Sequence, residues 1–276
     1  MFSTPIAMFG SNSVAPTYLL DNNPNSQLAI SFRRLSSSYN GNCVRVRRSS
    51  DNTEQNIGFS GGYIDTAALS AFCGAGNGYI TIWYDQSGNG KNSVQATTSL
   101  QPQIVTSGVI NTYNGKVYGA YDGTTFLQTS SNVTSLNFYS VHRYNATSGN
   151  GVPIGFGVSG NNANTYAFGI LDNALYLVQN GTQDYANLTS IPSSFWGYNA
   201  WYGNYANMQV WRNNSQLALN VYGGDGSSTA PVEPVVTGKR GIGTGIIGFI
   251  QEQIVFNATS ANTTITNNIN SFYSIY

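Results

Sequence analysis

Charged side chains are scarce in this sequence. Asp, Glu, Lys and Arg make up 8% of the 276 residues, against roughly 25% in an average soluble protein. Eleven basic and eleven acidic residues balance, so the formal net charge is zero. The chain therefore lacks the basic excess of a nucleic-acid-binding protein. Weak charge repulsion also favours association, and we expect a homo-oligomer or a place in a larger assembly.

Histidine, cysteine and long apolar runs are scarce too. The single histidine, His142, has no second histidine or closely spaced cysteine pair to complete a zinc site or a catalytic triad. We therefore predict no metal and no cofactor. No apolar run approaches the roughly 20 residues of a membrane span. The segment 1–16 lacks the basic start and apolar stretch of an export signal, so none is predicted.

The sequence is rich in strand and turn signals. Hydrophobic residues reach 41% and aromatic residues 13%. Short β-branched or aromatic runs alternate with Gly, Asn and Ser clusters, a pattern typical of strands joined by tight turns. The predicted strands are Leu28–Phe32, Cys43–Arg47, Tyr79–Tyr84, Lys116–Tyr121, Leu136–Arg143, Val152–Val158, Thr165–Leu171, Ala174–Gln179, Met208–Trp211, Gln216–Tyr222 and Ile246–Phe256.

Two helices are predicted among these strands. Asp65 is placed to cap a short helix over 66–72. A C-terminal helix is indicated by an apolar stripe at spacings of mostly three and four. The stripe consists of Ile265, Ile269, Phe272, Tyr273 and Tyr276. This pattern predicts an all-β antiparallel sandwich over 26–276 with a short helix and a C-terminal helix, preceded by an arm or linker over 1–25.

Several segments resemble the catalytic domain of family 54 α-L-arabinofuranosidases. The resemblance is carried by the runs SFRRLSSSYNG at 31–41, VRVRRSSD at 44–51 and ITIWYDQSGNG at 80–90, and returns at GFIQEQIVF, 248–256. It implies a concanavalin A-like β-sandwich (jelly roll). Modules of this kind also occur in bacteriophage tail and capsid surface proteins.

The resemblance implies two catalytic positions, which this sequence keeps only in part. The family nucleophile is a Glu in a segment reading roughly DMENNLF, and Asp172 stands at its position here. The family acid is an Asp in a loop reading roughly GIGGDNS. The run Gly241–Ile246 follows the start of that loop but lacks the Asp. A retaining glycosidase needs both carboxyls, so the sequence predicts a domain without catalysis.

Other residues have structural or binding interpretations. The run 85–90 is either a metal or ligand loop or, as we favour, a structural motif of Asp85, Gln86 and Asn89, in which Asp85 accepts backbone N–H bonds and fixes a turn. Arg45 and Arg47 share a strand face, where they either pair with nearby carboxylates or bind an acidic glycan.

The cysteines also depart from the family, in which two cysteines pair around a short loop. Cys73 matches the first of them, whereas Gly78 stands at the second. Cys73 is therefore free or paired with Cys43, and we favour free thiols.

The segment 193–205 is the densest aromatic patch in the sequence. It is either sandwich core or a carbohydrate site, in which rings stack on a sugar and amides bind its hydroxyls. The candidate sugar contacts are Trp196, Asn199, Trp201 and Tyr202.

These observations lead us to expect a lectin-like structural protein of a phage virion. In this interpretation the chain is made in the host cytoplasm and displayed on the capsid or as part of a tail fibre. Its partners would be other virion proteins or host-surface glycans. The alternative is an active retaining glycoside hydrolase of the α-L-arabinofuranosidase type.

Overall fold

Antiparallel strands form most of the computed structural model. It describes residues 18–134, 137–145, 151–157, 166–171, 174–179, 182–186, 196–198, 201–202, 209–216, 232–239, 245–257 and 262–276. Within 166–210 the description concerns the backbone.

The described elements are 24 strands, two α-helices and two 3₁₀ helices. The strands are β1 Ser26–Ser31, β2 Val44–Arg48, β3 Glu54–Ile57, β4 Phe59–Ser60, β5 Tyr63–Ile64, β6 Gly78–Trp83, β7 Ser93–Val94, β8 Gln103–Thr106, β9 Val109–Ile110, β10 Thr112–Tyr113, β11 Lys116–Val117, β12 Gly119–Asp122, β13 Leu127–Val133, β14 Asn137–Tyr144, β15 Gly151–Phe156, β16 Tyr166–Leu171, β17 Ala174–Gln179, β18 Thr182–Ala186, β19 Trp196–Tyr198, β20 Trp201–Tyr202, β21 Gln209–Arg212, β22 Ser215–Gln216, β23 Glu233–Thr237 and β24 Ile247–Phe256. The helices are α1 Thr66–Cys73 and α2 Thr263–Tyr273, with 3₁₀ turns at Leu19–Asp21 and Thr98–Leu100.

The strands pair into two layers. In the first layer β24 lies between β14 on one edge and β1 with β12 on the other, and β19 and β20 continue beyond β14. The second layer runs β3–β2–β6–β7–β13–β23–β15–β16–β17–β18. Strand β8 pairs with both β12 and β6 and so joins the layers at one corner.

The first layer is buried on both faces. Its inner face packs against the second layer through residues such as Phe138, Ile250 and Val255. Its outer face is covered by α2, which buries Ile265 and Ile269 against it. In the register of β14 with β24, Val141 is opposite Glu252 and His142 is opposite Ile250, which leaves a β-bulge at Gln251. Because of this bulge, the side chain of Ile250 lies on the inner face, whereas that of Glu252 lies on the outer face under α2.

A buried ion pair fastens α2 to the first layer. The Arg33 Nε donates to Glu252 Oε2 at 2.7 Å and Nη2 donates to Oε1 at 2.9 Å, a bidentate geometry. Glu252 is fully buried and Arg33 is 6% exposed. The Ser31 and Tyr273 hydroxyls also donate to Glu252, and Arg33 Nη1 donates to Asn268 on the helix. Burial, with the Glu252 carboxylate, holds the pKa of Tyr273 well above its usual value, so its phenol remains a donor.

The predicted all-β sandwich with a short and a C-terminal helix is confirmed. Asp65 caps α1 by accepting from the Ala68 N–H at 2.9 Å. Tyr276 departs from the predicted stripe, because α2 ends at Tyr273 and Tyr276 is half-exposed beyond it.

Within the predicted arm, the 3₁₀ turn at Leu19–Asp21 is part of the fold. It buries Leu19 and Leu20 in the same cluster as Ile265 and Ile269 of α2, on the outer face of the first layer. Neither α-helix among the described residues has the length and apolar character to cross a membrane.

Replacing Arg33 by alanine is expected to destabilise the fold strongly. The substitution leaves the Glu252 carboxylate buried without its guanidinium, which costs about 3–5 kcal/mol. Chemical denaturation measures the change in the free energy of unfolding. The control is Arg45→Ala, which breaks an exposed contact of 4.0 Å with Glu54 and is expected to cost less than about 1 kcal/mol. Equal losses in the two variants would contradict the assigned role of the buried pair.

Candidate functional site

The β16–β17 hairpin and the start of β24 lie close together at one end of the sandwich. Asp172 itself lies outside the described residues, but the strands around it pair Leu171 with Ala174. One row earlier, Ile170 pairs with Gly151 at the start of β15. A Cβ atom on Gly151 would lie 3.7 Å from the Cα of Ile246 and 3.0 Å from the Tyr144 ring. Ile170 and Ile246, which are about 75 residues apart in sequence, are therefore near each other in space.

Backbone hydrogen bonds to two other segments hold the residues that lead into β24. The Gly245 N–H donates to the Gly123 carbonyl, the Gly123 N–H donates to the Ile246 carbonyl, and the Ile246 N–H donates to the Gly238 carbonyl, all within 3.0 Å. Residue 245 is the fifth position of the loop pattern, at which the resemblance implies an Asp. A Cβ there would lie 2.6 Å from the Gly238 oxygen and 2.8 Å from the Gly123 oxygen. The backbone therefore leaves no space for an acid side chain at this position.

Asp122 is a carboxylate at this end of the sandwich. It pairs with Ile247 in the β12–β24 register. Its Oδ1 accepts from the Thr124 N–H and hydroxyl and from the Thr125 N–H, at 2.8 to 2.9 Å. Partial burial raises the pKa of Asp122, but these hydrogen bonds outweigh it and the pKa lies below its ordinary value. An aspartate held ionised in this way is a poor proton donor.

Buried polar side chains lie between the layers near this end. His142 Nδ1 is 3.0 Å from the Ser140 hydroxyl, which lies 3.3 Å from Gln253 Nε2. Gln253 also donates to the Pro153 carbonyl and accepts from Thr237. Burial lowers the pKa of His142 to about 3 despite its contact with Ser140. The imidazole is therefore neutral at neutral pH. Within the described ranges, no group of three or more His, Cys, Asp or Glu residues is placed to hold a metal ion.

The backbone register separates the predicted aromatic sugar contacts. Trp196 pairs with Arg143, one residue from Tyr144 and therefore close to the start of β24. Trp201 pairs with Phe138, five residues away along β14, about 17 Å at strand spacing. Tyr202 follows Trp201 in β20, and Asn199 lies outside the described residues. Trp196 is therefore the predicted contact whose backbone lies at the end of the sandwich where β24 begins.

The predicted turn residues connect β1 to the segment 85–91. Asp85 accepts from the backbone N–H groups of Ala29, Ser87 and Lys91.

The other two predicted motif residues bind the backbone as well. The Gln86 amide donates to the carbonyls of Ser31 and Arg33 and accepts from the Leu35 N–H. Asn89 donates to the carbonyl of Ser26.

The predicted arginine pair has two different environments. Arg45 is exposed near Glu54, whereas Arg47 is buried and bonded to Gln101 and Asn52. Cys43 and Cys73 are both free thiols, as favoured from the sequence.

Comparisons with known proteins identify the family. The family model described as "Alpha-L-arabinofuranosidase B, catalytic" matches residues 18–189, more than half of the chain. The chain belongs to this family. Alpha-L-arabinofuranosidase B of Emericella nidulans is 40% identical over 92 residues, 33% of this chain and 16% of that enzyme. The enzyme of Aspergillus niger is 42% identical over 66 residues, 23% of this chain and 13% of that enzyme. These alignments therefore span a small part of the relatives' length.

Solved structures of arabinofuranosidases share the fold. A GH54 α-L-arabinofuranosidase soaked with a cyclic sulfate inhibitor superimposes with a TM-score of 0.66 at 19% identity, covering 91% of this chain and 64% of that one. An arabinofuranosidase complexed with arabinofuranosyl-α-1,2-xylobiose gives 0.62 at 18% identity, covering 88% and 62%.

The expected role as a non-catalytic phage virion protein is wrong. The matched family and the matched relatives are arabinofuranosidases, and the relatives come from fungi. The assignments to a capsid, to a tail fibre and to a virion surface are therefore wrong as well. They rested on the occurrence of similar modules in bacteriophage surface proteins, on the missing acid, on the low charge and on the segment 1–16. None of these specifies a virion, and net charge bears on solubility and association but not on location or partner.

A methyl group at residue 245 is expected to destabilise this arabinofuranosidase-family domain. In Gly245→Ala the new Cβ meets two backbone oxygens, which cannot rotate away, and overpacking of this kind costs about 1–3 kcal/mol. Thermal unfolding measures the loss. Gly58→Ala is the matched control, because a Cβ added at residue 58 would meet no other group within 4 Å. If Gly245→Ala matched Gly58→Ala in stability, the entry to β24 would not be closed as described.

The buried imidazole is expected to make the domain acid-sensitive. The unfolded chain binds a proton on His142 near pH 6.5, whereas the folded chain does so near pH 3. Acidification through this window therefore favours unfolding, by at most about 1.4 kcal/mol per pH unit from this group. His142→Gln removes this contribution, so its unfolding free energy should fall less steeply between pH 6 and pH 4. Parallel curves for the two proteins, measured by urea denaturation, would count against a buried neutral His142.

Proposed function

We propose that this chain is a glycoside hydrolase domain that cleaves α-L-arabinofuranosides. The observation that carries the proposal is the family match over residues 18–189, which includes Asp172. The β16–β17 hairpin, whose described ends flank Asp172, lies beside the start of β24, which supports a site at this end of the sandwich. The fold shared with GH54 enzymes provides the scaffold.

In this proposal Asp172 is the nucleophile. Its carboxylate attacks the anomeric carbon, the aglycone leaves with the bonding electrons, and a glycosyl ester forms that water then hydrolyses. Trp196 is proposed as an aromatic sugar contact beside it, on the basis of its register position opposite Arg143. Since residue 245 has no space for the family acid, the substrates best suited to this site carry leaving groups that depart without a proton.

The proposal predicts hydrolysis of 4-nitrophenyl α-L-arabinofuranoside by the purified chain. 4-Nitrophenolate is such a leaving group, and its release is followed by absorbance. Asp172→Asn removes the nucleophile and is expected to lower kcat/KM by roughly 10³-fold or more, the scale of losing a catalytic group.

Asp184→Asn is the matched control, because it makes the same substitution in the adjoining strand β18. It should keep wild-type kcat/KM. An inactive wild-type chain of confirmed fold would overturn the proposed function. Equal losses in both variants would overturn the assignment of Asp172 as nucleophile.

A further inference from the structure

A groove lies on the surface of the sandwich among β2, β6, β8 and β12. Its volume is about 520 Å³, within the range of roughly 300–1,000 Å³ typical of small-ligand sites. Arg47, Tyr79, Gln101 and Gln103 line one part of it, and Asp122 and Thr125 line another. Most of these groups are hydrogen-bonding side chains, as recognition of a polyhydroxylated ligand requires.

Arg47 is a buried cation in this groove. It is 8% exposed. Its Nε donates to the Gln101 side-chain oxygen at 2.7 Å, and its Nη1 donates to the Asn52 side-chain oxygen at 2.8 Å. Its Nη2 is 3.5 Å from the Thr98 carbonyl, and the guanidinium lies 4.7 Å from the centre of the Tyr79 ring. These partners fix the guanidinium in place, and all of them are neutral.

The charge of Arg47 is not balanced by a neighbouring carboxylate. Its neighbours in β2 are paired, Arg48 with Asp51 at 2.6 Å and Arg45 with Glu54 at 4.0 Å. No carboxylate oxygen of the described residues lies within 4.0 Å of Arg47. Buried charges in proteins are normally paired, and a positioned guanidinium matches the two oxygens of a carboxylate.

The groove also contains an ionised acceptor. The turn at Thr124 and Thr125 holds Asp122 Oδ1, and Asp122 is exposed. A carboxylate is a strong acceptor for sugar hydroxyls and disfavours ligands that are anionic throughout. The lining therefore suits a ligand with one acidic group and several hydroxyls.

We propose that this groove binds a uronic acid residue of an acidic saccharide, with the sugar carboxylate on Arg47 and its hydroxyls toward Asp122 and Gln103. The ligand class follows from a fixed cation, a carboxylate acceptor and amides in one groove. Binding here requires no turnover, so this proposal is tested separately from the proposed hydrolase activity.

The test compares methyl β-D-glucuronide with methyl β-D-glucoside by calorimetry on the full chain. The two probes differ by the carboxylate, and a charge-assisted bidentate contact is expected to favour the glucuronide by about tenfold or more. Equal affinities, or no binding of either probe, would overturn the proposal. Sodium sulfate that displaces the glucuronide at equal concentration would show a general anion site and overturn the saccharide assignment.

Asn52→Asp is the decisive variant. It supplies Arg47 with a carboxylate in place of the amide oxygen at 2.8 Å. Asn52 is exposed with a φ of 60°, a conformation that Asp also tolerates, so the fold should be retained or stabilised. Glucuronide affinity should fall tenfold or more.

Asn56→Asp is its matched control. It adds the same charge to the same β2–β3 hairpin, but beside Arg45 and Tyr84. Its glucuronide affinity should stay within about twofold of wild type. If Asn52→Asp bound the glucuronide as tightly as Asn56→Asp, Arg47 would not be the anchor.

Discussion

The bidentate contact between Arg33 and Glu252 is the interaction on which the arrangement of the first layer depends. Glu252 lies in the central strand β24 and Arg33 is the second residue after β1, so the pair joins two neighbouring strands under α2. An unpaired carboxylate at this depth would be strongly unfavourable. The helix is therefore held by Asn268 and Tyr273 to the same charged group that ties the strands together.

Several of the few charged side chains in the described ranges have definite structural roles. Asp85 holds backbone donors, Asp65 caps a helix and Asp122 closes a turn. Arg45 and Arg48 meet exposed carboxylates, whose pairing contributes little to stability. Arg47 differs from all of these, because it is buried among neutral acceptors at a groove. Against this background an unbalanced buried charge indicates binding more strongly than it would in a highly charged protein.

Local signals predicted much of the fold. The Asp65 cap and the stripe of Ile265 and Ile269 located the helices, and the apolar run ending at Phe256 located β24, within about one residue of its observed start. Strands such as Leu127–Val133 were missed, because Ser, Thr and Asn dominate them and resemble loop sequence. The bulge at Gln251 was also beyond reach, since it arises from pairing with a strand more than 100 residues earlier.

In the candidate site, too, some features could be predicted from the local sequence, whereas others depend on segments that are distant in the chain. The resemblance to arabinofuranosidases located Asp172 and showed that an acid is absent from Gly241–Ile246. At residue 245 the backbone of Gly123 and Gly238 closes in from two other segments and leaves no space for a side chain. A single substitution at residue 245 therefore cannot introduce an acidic side chain, because the backbone oxygens of Gly123 and Gly238 would first have to move away. The proposed hydrolysis therefore takes its proton from a carboxyl outside that position, or acts on a leaving group acidic enough to depart without a proton.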